Sequence, residues 1–149
     1  MDHAAARLRS QRLSGPPARS VLEVVEHLLA IQAQDGRGMR LAIRARSTGL
    51  SASDVDRALT EERSVVVTWL NRGTLHLVPS ADLWWLRALF TARMATANVR
   101  RLAQEGVSPA QAERGVEVVV DALRGEGPLT REQLRERLDA ADVPTARQA

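Results

Sequence analysis

Apolar residues recur at helical spacing through Val21, Val24, Val25, Leu28 and Leu29. They follow Ser20-Val21-Leu22-Glu23, a capping box, and predict a buried helix running to Gln32. Residues 1–19 mix Ala, Arg and Ser and reach Gly15-Pro16-Pro17, so a short helix at best and an extended lead-in are expected there. A second helix is predicted from about Gly38 to Thr48, closed by Gly49, with Met39, Ala42 and Ile43 inward. Ser51 or Ser53 caps a third, with Val55, Ala58, Leu59 and Glu62 on one face and an end near Arg63. The period then changes to two. Val65 to Leu70 and Thr74 to Val78 are β-branched and alternating, and Asn71-Arg72-Gly73 supplies turn chemistry between them, which predicts a β-hairpin.

Beyond the hairpin the helical period returns. Pro79-Ser80 is expected to open a long helix to about Glu105, with Leu83, Leu86, Phe90, Met94 and Leu102 on a stripe widened by Trp85 and Leu89. Gly106 ends it, and Val107 falls where a Schellman motif packs it on Leu102. Ser108-Pro109-Ala110-Gln111 caps a further helix, with Val116, Val119, Val120 and Leu123 inward and a break at Gly125 and Gly127. Thr130-Arg131-Glu132-Gln133 caps another, with Leu129 available to staple Leu134, and a turn follows at Ala141 to Pro144. Thr145 to Gln148 is one more capping box, and the chain stops one residue later. That ending predicts a piece of a longer protein, cut inside a second helix-turn-helix. The fold class expected is mainly α. A winged helix of three helices plus a hairpin wing spans 20–79 after the lead-in 1–19, long connecting helices span 80–127, and the truncated start of a second winged helix spans 128–149.

The 149 residues, 44% hydrophobic and 26% charged, suffice for one real core. No apolar run approaches a membrane span, and Arg7, Arg9 and Arg12 are followed by no apolar signal region, so a cytoplasmic protein is expected. With no cysteine, thiolate metal sites, disulfides and cysteine nucleophiles are excluded. All 21 basic positions counted as Lys+Arg are arginine, which leans toward phosphate partners despite a net charge of only +3.

Two amides, Gln32 and Gln34, stand two residues apart in Ile31-Gln32-Ala33-Gln34-Asp35-Gly36. Such positions do not share a helix face, so both reach one site only if the chain leaves the helix between them. Asp35-Gly36 predicts that exit, with Gln32 in the last turn, Gln34 at its end and Gly36 at positive φ. Arg37, Arg40 and Arg44 fall within about 60° of one another on the second helix and form one basic stripe. The third helix and its flank are net acidic, with Asp54, Asp56, Glu61 and Glu62 against Arg57 and Arg63, which phosphate would repel. A nucleic-acid surface is therefore expected on the second helix and at Arg72 of the wing tip, on the same side as the glutamines. His3, His27 and His76 make no metal-ligand spacing, and no metal or cofactor is expected. His76 on the hairpin is either a nucleic-acid contact or a histidine paired across the strands.

Leu28 to Arg46, "LLAIQAQDGRGMRLAIRAR", with Val66 to Leu77, "VVTWLNRGTLHL", resembles the winged-helix DNA glycosylase family that includes AlkZ and YcaQ. The resemblance runs collinearly over roughly residues 20 to 149. The family signature is glutamine, an apolar residue, then glutamine or aspartate. It stands here as Gln32-Ala33-Gln34, beside an intact Arg72-Gly73-Thr74-Leu75-His76 run. The resemblance implies excision of alkylated or crosslinked purines from duplex DNA, with Gln32 and Gln34 catalytic and Arg37, Arg40, Arg44, Arg72 and His76 binding DNA. Base flipping normally uses aromatic stacking, and Trp69, Trp84, Trp85 and Phe90 are expected instead in the core. The competing readings are a non-catalytic winged-helix regulator and a protein-interaction module built on the wing.

Overall fold

The computed structural model describes residues 2–71 and 73–145, and the chain divides into two units, Met1–Met94 and Ala95–Ala149. The first contains α1 (His3–Ser10), α2 (Val21–Leu28), β1 (Ile31–Gln32), α3 (Gly36–Arg44), α4 (Ala52–Thr60), β2 (Val65–Leu70) and β3 (Thr74–Pro79). A 3-10 turn at Ser80–Asp82 leads into α5 (Leu83–Gln104), which crosses the division. The second unit adds α6 (Pro109–Glu126) and α7 (Arg131–Ala140). The described chain is mainly helical with one small antiparallel sheet of order β1-β3-β2.

Ser20 caps α2 as expected, its hydroxyl accepting the Glu23 N–H at 3.1 Å. The return half of the box differs. Glu23 takes the Arg19 N–H at 2.9 Å and the Arg12 guanidinium at 2.8 Å, which ties the lead-in to the helix. The lead-in is further pinned at Ala18, fully buried, whose N–H reaches the Arg46 carbonyl and whose carbonyl takes the Thr48 N–H, both at 3.0 Å.

The predicted helix to Gln32 stops at Leu28, because Leu29 turns to φ +65° and the chain becomes extended. Ile31 pairs with Leu77 and Gln32 with His76, and the Ala33 N–H continues the ladder to the Leu75 carbonyl at 2.8 Å. A two-residue strand has no periodicity of its own; its backbone groups are satisfied by a strand more than forty residues away. Asp35-Gly36 likewise begins a helix instead of ending one. Asp35 caps α3 by accepting from Arg37 N at 3.1 Å and Gly38 N at 2.8 Å, and Gly36 is its first residue, with no positive φ. Aspartate suits an N-cap as well as a helix exit, and the tertiary ladder selects the former.

The third helix and the hairpin lie where the sequence places them. Val55 and Ala58 are buried on α4, and Asn71 and Gly73 take the positive φ that the turn requires. The two sheet faces separate cleanly. Ile31, Ala33, Val65 and Leu77, with Val67 and Leu75, join Val24, Val25, Ile43 and Val55 in the main core against α2–α4. The opposite face gives Leu70 and Val78, packed with Leu86 and Phe90 of α5.

The tryptophans correct an expectation. Trp69, Trp84 and Trp85 are 52%, 76% and 46% exposed, and Leu89 is also exposed. Leu86 alone among the α5 stripe is buried, so in this unit the helix packs along the Leu86–Phe90 face, leaving the side that Trp85 and Leu89 were expected to bury open. Ser80-Ala81-Asp82 precede α5 as the 3-10 turn, and Asp82 accepts the Trp85 indole N–H at 2.8 Å.

In the second unit Gly106 at φ +77° and the Val107 N–H to the Leu102 carbonyl at 2.9 Å make the expected Schellman ending. The capping boxes at Ser108/Gln111 and Thr130/Gln133 are both formed. Val116 and Leu123 were expected inward and are exposed; the buried position of α6 is Gly115. A Cβ there would stand 3.3 Å from Val143 and 3.5 Å from Leu138, so the close approach of α7 and its turn selects the bare backbone. Gly125 stays helical, and Gly127 at φ +83° ends α6. The last capping box, Thr145 to Gln148, falls mostly outside the described residues, as does Arg72.

Candidate functional site

Ile31 and Ala33 are buried while Gln32 and Gln34 are exposed, the alternation of an extended segment. In that geometry residues two apart share a face, so the two amides lie together without any helix terminus between them. Both line one open cavity of about 590 Å³. Its apolar surface comes from Leu28, Ala30, Ile31, Met39 and Ala42, and its polar wall is completed by Gln11, Asp35 and Arg46. The cavity lies along β1, one of the two edge strands of the sheet.

The two glutamines differ in what they have left to offer. The Gln34 side-chain carbonyl accepts the Leu75 N–H at 3.1 Å, extending the ladder past the end of β1. A backbone donor can meet only the amide oxygen, so the NH₂ of Gln34 remains for a ligand. No hydrogen bond engages the Gln32 side chain among the described residues. Gln32 stands directly across from His76, which in turn pairs with Thr68 on β2, so the three form a polar row on one sheet face. His76 is half-buried with Nδ1 2.9 Å from the Thr74 carbonyl. A carbonyl can only accept, so Nδ1 is the donor of this bond. His27 lies elsewhere, with Nε2 2.9 Å from the Ser10 carbonyl.

The arginine stripe is placed differently from expectation. The face of α3 toward the cavity carries Asp35, Gly38, Met39, Ala42 and Arg46. At about 100° per residue, Arg37, Arg40 and Arg44 fall on the roughly opposite face. Arg40 is committed to structure: Nε donates to Asp56 Oδ1 at 3.1 Å, Nη2 reaches the same oxygen, and Nη1 donates to the Gly36 carbonyl at 2.8 Å. This clasps α3 to α4. Arg37 and Arg44 are exposed, with no ion-pair partner among the described residues.

Arg46 and Gln11 are the site residues that sequence reading missed. The signal was present for Arg46, which continues the series 35, 38, 39, 42 at helical spacing; Gln11 reaches the cavity only through folding of the lead-in. Among the described residues no group of three or more His, Asp or Glu is gathered to hold a metal, and no helix is long and apolar enough to cross a membrane. The second unit has its own groove of about 620 Å³, lined by apolar Val119, Val120 and Leu138 and by Arg101, Gln111, Arg131 and Arg135.

Comparison with curated proteins and with solved structures returns no match. The family model described as DNA glycosylase AlkZ-like matches residues 25–149, which includes both glutamines, the arginine stripe, the whole sheet and the second unit. The chain belongs to the AlkZ-like DNA glycosylase family.

Proposed function

We propose that the chain is the winged-helix part of a DNA glycosylase that hydrolyses the N-glycosidic bond of alkylated or crosslinked purines in duplex DNA, with Gln32 and Gln34 positioning the reacting groups. The order helix, strand, two helices and hairpin supports the winged-helix reading, with Asn71 and Gly73 in the turn of the wing. The observation that carries the functional reading is the placement of both amides on one face of an extended segment at a single cavity.

The chemistry suits amides. An N7-alkylated purine is already cationic, so its departure from C1′ needs no strong general acid. The electron pair of the C1′–N9 bond goes to the base, water adds to C1′, and the water's proton is released to solvent. Gln32, with its carbonyl unengaged, orients the water; Gln34, with its carbonyl held by Leu75, gives its NH₂ to a deoxyribose or phosphate oxygen. Exposed Arg37 and Arg44 contact backbone on the other side of α3, giving affinity without sequence choice.

The test is single-turnover release of an N7-alkylguanine from duplex, beside binding titrations on several unrelated sequences. Release with little sequence preference supports the proposal. Tight binding of one sequence with no release from any modified duplex would make the chain a regulator.

A further inference from the structure

We propose that Arg46 binds a DNA backbone phosphate inside the glutamine cavity, at the nucleotide being hydrolysed. This rests on the reading of that cavity as the place where the damaged nucleotide is held.

Four features place the charge there. Arg46 lines the same cavity as Gln32 and Gln34. Its guanidinium is fixed by two carbonyls: Nε donates to Gln11 at 2.8 Å and Nη1 to Ala42 at 2.9 Å. Its backbone is fixed as well, since the Arg46 carbonyl accepts the Ala18 N–H at 3.0 Å. Between Asp35 and Arg46 the small residues Gly38 and Ala42 line the same cavity, with Met39 beside them.

Electrostatics separate Arg46 from the structural arginines of this chain. Arg12, Arg40, Arg57 and Arg137 each meet a carboxylate. Arg46 meets only carbonyls, which orient the fork without neutralising it, and no carboxylate pairs with it among the described residues. Asp35, the one carboxylate among the described residues of the cavity, accepts with its two oxygens from the Arg37 and Gly38 N–H groups that begin α3. A guanidinium carries five N–H donors, so with two spent the fork keeps three for an anion. Because they are oriented before binding, little reorganisation accompanies the contact.

The experiment compares wild type, Arg46→Gln, Arg46→Lys and, as a control at an exposed position of α6, Arg124→Gln. Each is measured for duplex affinity against salt, single-turnover release of N7-alkylguanine, and melting temperature. Arg46→Gln is expected to weaken binding about 10- to 100-fold and to reduce the slope of log K against log salt by about one. Arg46→Lys should restore the slope but only part of the affinity, because an ammonium lacks the fork. Arg124→Gln should match wild type. A folded Arg46→Gln with wild-type affinity and slope overturns the proposal. If Arg46→Gln does not fold, Arg46→Lys decides: lower affinity at an unchanged salt slope and melting temperature supports the contact, and wild-type affinity overturns it. A wild type that binds but releases no base, with the slope still lost in Arg46→Gln, would leave the phosphate contact standing and remove the glycosylase reading alone.

Discussion

The side-chain carbonyl of Gln34 accepts the backbone N–H of Leu75 at 3.1 Å, so the second glutamine of the signature completes the sheet where β1 runs out. Gln34→Ala should therefore loosen the β1 edge and lose ligand contact together. Gln34→Glu keeps the acceptor and removes the NH₂, and should weaken duplex binding about tenfold at an unchanged melting temperature. Wild-type affinity in Gln34→Glu would mean that the amide donors face no ligand.

Gln32 holds no such structural bond, and Gln32→Ala is expected to leave stability near wild type while slowing base release by about 10² to 10³, the scale of a misplaced reactant. Duplex affinity should change little, since orienting water acts mainly in the transition state. Single-turnover rates with a parallel binding titration check this. Equal rates for variant and wild type would leave the water-orienting role without support.

The arginine stripe should divide in two. Arg37→Ala and Arg44→Ala are expected to lower the salt slope of binding by about one each, uniformly across sequences. Arg40→Ala should act on folding, because it leaves Asp56 without its partner and frees α4 from α3. The pair is partly exposed, so a loss of only about 1 kcal/mol in denaturant melts is expected.

Asp54 gives the fold an acid-sensitive point. The Ser51 hydroxyl at 2.6 Å, the Ser51 N–H at 2.8 Å and Arg57 at 2.7 Å hold its pKa down from 3.8 to about 2. The folded state thus binds the proton less tightly than the unfolded chain. This contribution is complete above about pH 4 and disappears as pH falls through about 2. The stability difference between wild type and Asp54→Asn, followed by melts between these limits, should shrink on acidification.

Leu77 lies fully buried on the central strand between Ile31 and Val67. Leu77→Ala should cost roughly 2–5 kcal/mol in denaturant unfolding, from lost transfer and the cavity left behind. A cost below 1 kcal/mol would mean that the two outer strands close over the gap.

The sequence by itself determined the elements whose signals are local. The Ser51-led helix, the hairpin with Asn71 and Gly73, the Schellman ending at Gly106 and the capping boxes at Ser108 and Thr130 each depend on neighbours within a few residues. It also singled out Gln32 and Gln34. What it missed was why they share a face: the periodicity of Val21 to Leu29 reads on into Ile31, and only the Leu75–Leu77 backbone, far along the chain, offers the bonds that make residues 31–34 extended. The same reason moved Asp35 from a helix exit to a helix start, rotated the Arg37–Arg44 stripe away from the cavity, and brought Arg46 and Gln11 into it. The exposed tryptophans follow the same logic, since apolar spacing along α5 marks a possible buried face but only its partners decide which face is covered. Backbone pairing and packing between distant segments satisfy groups that no local pattern can assign, and here they built the site from residues the sequence had largely marked, in an arrangement it could not show.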